Sequence, residues 1–252
     1  RYIIIFNGEI YNHLDLRKEI TNYYQINSQN INWVGHSDTE TILAAVDIWG
    51  IEDTLKKING MFAFAIWDKK YHTLILARDR IGEKPLYYGW QNNIFLFASE
   101  LKAIKIHPNF KNEINEKVIP TYLRYNYIPA PYSIYKDIFK LLPGTFLKIP
   151  LKNNKNNNTP KTYWSLIDDL YNKPKININY NDRETIDQLE NIIQKSISKQ
   201  KLSDVPIGAF LSGGIDSSLI VAIMQSQSIK PIHTFTIGFS DKNYNEAGHA
   251  KK

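Results

Sequence analysis

Cysteine is missing altogether from these 252 residues, which excludes disulfides and thiolate metal ligands and fits a reducing compartment such as the cytoplasm. No apolar run approaches the roughly 20 residues that a membrane helix needs, so no membrane partner is expected. The opening RYIIIF is a short strand-like run with no small-residue cleavage pattern behind it, unlike a signal peptide. Clustered basic patches are lacking too. The net charge of +6 goes with a drift toward Lys, Asn and Ile, as in the tract Lys152–Asn158, and a nucleic-acid surface would instead gather Lys and Arg with aromatics on one face. His13, His36, His72, His107, His233 and His249 show no metal-ligand spacing and read as structural or surface residues. No nucleophile–His–acid triad is visible.

What the chain does have is enough apolar sequence, 43%, for one large or two modest domains. Up to about Gly144 short strand-like runs alternate with turns and helical stretches: Tyr2–Phe6, Gly60–Trp67, Thr73–Arg78 and Ile94–Ala98 read as strands. In GMFAFAIWD both alternating sets are apolar, which predicts a strand covered on both faces and hence layered packing. Thr39–Trp49 carries an apolar stripe at helical spacing, with Ser37 or Asp38 placed to cap it. Leu151–Tyr180, Asn- and Lys-rich with Pro160 and Pro174, reads as a surface loop followed by a linker. Beyond it, Asn181 and Glu184 form a capping-box pattern ahead of Ile186, Leu189, Ile193 and Ile197. Val205–Leu211 then reads as a buried strand, SGGIDSS as a turn, Leu219–Gln227 as a helix and Ile232–Ile237 as a strand. This β–loop–α–β order implies a parallel sheet with a ligand at the strands' carboxyl ends.

In SGGIDSS, Gly213 and Gly214 let the backbone turn its N–H groups onto an anion, the following helix adds its positive end, and Ser212, Ser217 and Ser218 offer hydroxyls. No Lys stands where a Walker loop needs one, so the pattern suits a leaving pyrophosphate better than γ-phosphoryl transfer. Read by itself, a GG-x-D is a glycine turn with a helix cap. The whole seven-residue stretch resembles the pyrophosphate loop of ATP-pyrophosphatase-type synthetases. With VPIGAFL before it, it resembles the start of the synthetase domain of glutamine-hydrolysing asparagine synthetases. That resemblance implies main-chain contacts to adenine at Phe210 and Ile237, and Mg²⁺ bridging phosphates at Asp216, where a helix cap is the competing role.

The first half carries five ordered blocks: NGEIYNH (Asn7–His13), SDTE (Ser37–Glu40), GMFAFAIWD (Gly60–Asp68), DRIGEKPLYYG (Asp79–Gly89) and FASELKAI (Phe97–Ile104). Together they resemble class II glutamine amidotransferase domains. The resemblance implies an N-terminal cysteine nucleophile, which this chain does not contain. It implies Asn7 and Gly8 as the oxyanion hole, and Glu9 and Asp38 holding the glutamine α-ammonium. Alone, Asn7-Gly8 would read as a hairpin turn and Asp38 as a helix cap. In DRIGEKPLYYG, Gly82 and Pro85 are expected to shape a turn, Leu86–Tyr88 to start a strand, and Asp79 to pair with Arg80.

The fold class implied is α+β: a four-layer αββα, N-terminal-nucleophile-hydrolase-like glutaminase domain over residues 1–165, a linker over 166–181, and over 182–252 the start of an α/β parallel-sheet nucleotide-binding domain. The sequence is expected to be a segment of a longer protein at both ends. The activity implied is synthesis of asparagine from aspartate with ammonia from glutamine, through an acyl-adenylate, releasing AMP and pyrophosphate. ATP, Mg²⁺, glutamine and aspartate are the small molecules involved, and a homodimer is left open. Rival readings are a related amidotransferase acting on another carboxylate such as a polysaccharide sugar acid, which Tyr127–Gly144 also resembles, and a non-catalytic glutamine or nucleotide sensor.

Overall fold

A computed structural model describes residues 1–150, 159–172, 181–203, 205–241 and 245–251. The tract 152–158 and Pro174 lie outside the described residues. The chain divides into two compact units, Arg1–Pro174 and Lys175–Lys252.

The first unit runs β1 (Tyr2–Ile10), α1 (His13–Ile26), α2 (Asp38–Lys57), β2 (Gly60–Asp68), β3 (Thr73–Arg78), β4 (Tyr87–Gln91), β5 (Ile94–Ala98), α3 (Leu101–Lys105), α4 (Ile119–Tyr125), β6 (Ile138–Lys140), β7 (Thr145–Pro150), β8 (Lys161–Thr162) and α5 (Leu166–Asn172). One sheet has the order β1-β2-β3-β7-β8 and a second the order β5-β4-β6, with antiparallel neighbours throughout. The double apolar alternation of β2 is satisfied as anticipated. Phe62, Phe64 and Ile66 pack with Leu16 of α1 and Ile42, Val46 and Leu55 of α2. Ala63 and Ala65 face the other way, packing with Leu76 and Leu147 of their own sheet against Leu86, Tyr88, Trp90, Phe95 and Phe97 of the second. The far face of that second sheet buries Leu96 and Ile138 against Ile104 and Leu101 of α3. Helix, sheet, sheet, helix is therefore the layering, an α+β architecture, and small Ala side chains let the two sheets approach.

Two local expectations change here. Asp79, 1% exposed, makes no ion pair with Arg80 among the described residues. Its carboxylate instead accepts the backbone N–H groups of Phe62 (3.2 Å), Glu83 (2.8 Å) and Lys84 (2.9 Å), while Arg80 donates to the Lys56 carbonyl. The turn at Glu83 and Lys84 and the neighbouring strand at Phe62 offer three backbone amides to one buried carboxylate, which satisfies it without the half-buried Arg80 guanidinium. Gly82 does shape that turn: its φ is +74° and a Cβ would sit 2.8 Å from Pro143. Within the stretch read as loop and linker, Lys161–Thr162 pairs with β7 and Tyr163 enters the core, its hydroxyl donating to the Arg78 carbonyl at 2.9 Å. Helix α5 occupies part of the expected linker.

The second unit holds α6 (Asp182–Gln200), β9 (Gly208–Phe210), α7 (Ile215–Ser226), β10 (His233–Phe235) and α8 (Ala247–Ala250). The capping box at Asn181 and Glu184 is formed in both directions. β9 and β10 are parallel, as the order of elements predicts. They are not buried strands: Phe210 is 77% exposed. Alternate residues Ile207 and Ala209 pack with Ile193 and Ile197 of α6 and Ile223 and Met224 of α7, but among the described residues no helix covers the opposite face. Ile186 and Leu189, the first half of the α6 stripe, line an open groove beside α7 and stay exposed. Among the described residues no helix is long and apolar enough to cross a membrane.

Candidate functional site

Strand β1 carries Asn7, Gly8 and Glu9 inside a continuous strand, not a hairpin turn: Gly8 pairs with Phe62 and Glu9 with Met61. Just beyond its two ends, Lys69 N–H bonds to the Arg1 carbonyl and Tyr11 N–H to that of Asn59. Odd-numbered residues therefore exchange backbone bonds with β2, and even-numbered ones turn N–H and C=O toward the sheet edge. β1 is an edge strand, so the Gly8 amide points to the open side. The Ile10 amide does the same and is taken by Asp38 Oδ2 at 2.9 Å.

Gly8 is a glycine for a packing reason as well. Its φ is +155°, and a Cβ would lie 2.1 Å from the Met61 carbonyl oxygen and 2.7 Å from Phe62 Cα. The close approach of β1 and β2 alone requires the absence of a side chain. On the face toward the second sheet, Asn7 is exposed and its Nδ2 donates to Ser99 Oγ at 3.2 Å.

Asp38 heads α2 but does not cap it. Ser37 Oγ accepts the Thr39 N–H at 3.1 Å and is the N-cap, which leaves the Asp38 carboxylate for Ile10. The segment leading into α2 is held by Arg17 of α1, which donates to the Gly35 carbonyl (2.8 Å), the Ser37 carbonyl (3.2 Å), Thr41 Oγ1 (2.9 Å) and Glu40 Oε2 (2.9 Å), and lies over the Trp33 ring at 4.2 Å. Glu40 in turn accepts the N–H groups of Val34 and Gly35. The Val34 amide foremost, with the Gly35 amide and the charged Arg17 guanidinium, holds its carboxyl below the ordinary value against the opposing cost of burial. Neither Arg17 nor Ser99 carried a spacing signal in the sequence. Arg17 is 23 positions from Glu40 and Ser99 is 92 from Asn7.

In the second unit, β9 leads through Leu211–Gly214 into α7, whose first turn already includes Ile215–Ser218. The helix thus starts four residues earlier than periodicity predicts, because Gly214 takes an extended conformation as N-cap and Asp216 suits a first turn. Ser212 and Ser217 hydroxyls lie 3.0 Å apart, and the Ser212 and Gly214 amides donate to Ser217 Oγ and Ser212 Oγ, each at 3.3 Å. Gly213 has φ +81°, and a Cβ there would meet His249 Cβ at 2.7 Å. Only glycine fits both this backbone and the neighbouring α8. Asp216 and Ser218 are exposed on the first turn. Asp216 caps nothing, since α7 has no side-chain cap bond. Among the described residues no three His, Asp or Glu side chains gather as a metal-holding group. One exposed carboxylate fits a cation whose other ligands are phosphate oxygens and water, not a protein cage. Phe210 ends β9, and Ile237 stands two residues past the end of β10. Leu211 N–H donates to the Phe235 carbonyl and Thr236 Oγ1 to the Leu211 carbonyl, tying the two strand ends together beside the loop.

Comparison with known proteins places both halves. The model of the glutamine amidotransferase domain matches residues 1–164, and that of asparagine synthase matches 188–252. A Methanocaldococcus jannaschii protein named for the glutamine-hydrolyzing asparagine synthetases is 39% identical over 99% of this chain and 45% of its own length. Asparagine synthetase [glutamine-hydrolyzing] 1 of Bacillus subtilis is 36% identical over 100% of this chain and 37% of its own. The chain thus spans less than half the length of these curated relatives. Among solved structures, glutamine phosphoribosylpyrophosphate amidotransferase from B. subtilis, complexed with ADP and GMP, aligns over 92% of this chain and 45% of its own, at 16% identity and a TM-score of 0.44.

Proposed function

The chain belongs, through residues 1–164, to the glutamine amidotransferase domain family, and from that premise we propose that the full-length protein is a glutamine-hydrolysing asparagine synthetase. The observation that carries this reading is the open side of β1, where the Gly8 amide and the exposed Asn7 lie on the strand whose last amide is bound to Asp38. Two donors that can converge on one point, beside the anchored Asp38 carboxylate, are what a bound amino-acid amide requires. The Asn7 amide and Gly8 N–H stabilise the oxygen that gains charge as the amide is attacked. Asp38 and Glu9 attract the α-ammonium. This chain has no cysteine, so its part is to bind and polarise glutamine. The thiolate that attacks the amide carbon, expelling ammonia and leaving a thioester that water hydrolyses to glutamate, would come from elsewhere in the full-length protein.

Ammonia released there is consumed at the second unit. ATP lies across the carboxyl ends of β9 and β10, with main-chain contacts at Phe210 and Ile237 and its phosphates over Ser212–Gly214, Ser217, Ser218 and the start of α7. Attack of the aspartate β-carboxylate on the α-phosphate expels pyrophosphate and gives an acyl-adenylate. Ammonia then displaces AMP to give asparagine. Asp216 would hold part of the shell of a Mg²⁺ ion, which when bound would supply neutralisation of phosphate charge.

The test is a product balance on the full-length protein given glutamine, aspartate, ATP and Mg²⁺. Equal amounts of asparagine, AMP and pyrophosphate support the reading, whereas ADP and phosphate would sink the adenylate chemistry. Turnover with a uronic acid and none with aspartate would move the acceptor to the related amidotransferase class. Binding of glutamine and ATP with no turnover would make the protein a sensor.

A further inference from the structure

Asn7 and Ser99 join the two sheets at their open margin: Asn7 stands on edge strand β1, and Ser99 is the first residue past β5. Both line a cavity of about 220 Å³ whose other described walls are apolar, chiefly Ile5, Ala63, Phe64, Leu86 and Phe97. In such surroundings the last torsion of an asparagine is nearly two-fold, so its C=O and NH₂ ends can exchange places unless a partner chooses between them. A carbonyl end turned toward a developing oxyanion would repel it. The half-buried Ser99 hydroxyl is the polar side chain that accepts from Asn7 Nδ2.

We propose that Ser99 is the positioning residue for the oxyanion donor, occupying one hydrogen of the Asn7 NH₂ so that the other is aimed at the substrate oxygen. Ser99 touches no reacting atom and acts through Asn7. The inference rests on the reading of Asn7 as an oxyanion donor, and the experiment separates the two. Steady-state glutamine hydrolysis is measured on the full-length protein and on Ser99→Ala, Ser99→Thr, Asn7→Ala and the Asn7→Ala/Ser99→Ala double variant. Loss of one orienting hydrogen bond is expected to lower kcat of Ser99→Ala roughly tenfold. KM for glutamine should stay within about twofold, because the interaction matters only as charge develops. Ser99→Thr keeps the hydroxyl and should recover most of the rate. The double variant should be no slower than Asn7→Ala alone, since Ser99 has nothing left to orient.

An unchanged kcat in Ser99→Ala, a rise in KM at constant kcat, or additive losses in the double variant would each overturn the proposal. If Asn7→Ala itself retains full kcat, the oxyanion reading fails and takes this inference with it. If Asn7→Ala is slow while Ser99→Ala is not, Ser99 alone is ruled out. Should Ser99→Ala not fold, Ser99→Cys, similar in size and a poor hydrogen-bond partner, carries the same kinetic test.

Discussion

Asp38 Oδ2 accepts the backbone N–H of Ile10 at 2.9 Å, so the carboxylate at the head of α2 is fastened to the last residue of edge strand β1. Its other oxygen lies 3.3 Å from Ser37 Oγ and 3.4 Å from Thr39 Oγ1. A helix start and a strand end are thereby locked together around one negative charge. Substituting Asp38→Asn keeps an acceptor for Ile10 but removes the charge. In the full-length protein KM for glutamine should rise roughly 30-fold, the worth of a charge-assisted hydrogen bond, with little change in thermal midpoint. An unaltered KM would remove Asp38 from the ammonium site.

The glycines separate packing from backbone strain. Gly8→Ala must push a methyl into the Met61 carbonyl at 2.1 Å, and should cost several kcal/mol, about 3 or more, in urea denaturation by prising β1 from β2. Gly50→Ala meets nothing within 4 Å but has φ +71°, so only the left-handed penalty of about 1–2 kcal/mol applies. Equal losses for the two would argue against the close strand approach.

Glu40 makes the segment before α2 sensitive to acid. Its folded pKa lies below the ordinary value of 4.5, with the Val34 amide as the largest cause. Its stabilisation is therefore complete above the unfolded pKa and is lost as pH falls through the lowered folded value. Glu40→Gln should destabilise the protein by about 1 kcal/mol at pH 7, and the difference from the unsubstituted protein should shrink progressively below pH 4.5. A gap that stays constant down to the acid transition would mean that the charge contributes nothing.

Asp216→Asn should lower ATP-dependent pyrophosphate release by the full-length protein by about tenfold or more, with partial recovery as Mg²⁺ is raised. Unchanged release would count against the loop assignment. Gly213→Ala would force its methyl against His249 and leave its φ of +81° strained. It should weaken ATP binding while glutamine hydrolysis stays intact, which nucleotide titration and a glutaminase assay can separate.

Much of this was determined by the order of residues alone. The double apolar alternation of Gly60–Asp68 required a strand between two layers, and the core around Phe62 and Ala63 has that form. The Asn181–Glu184 pattern became a capping box, and the parallel β9–loop–α7–β10 order followed from turn chemistry and helical period. Such features arise from neighbours in the chain, whose geometry local sterics dictate. Tertiary structure decided the rest. It chose Ser37 over Asp38 as the cap, sent Asp79 to three amides and not to Arg80, exposed Phe210, and brought Arg17 to Glu40 and Ser99 to Asn7. Those pairings join groups far apart in sequence, where many partners of suitable chemistry exist and only packing brings one within 3 Å or so.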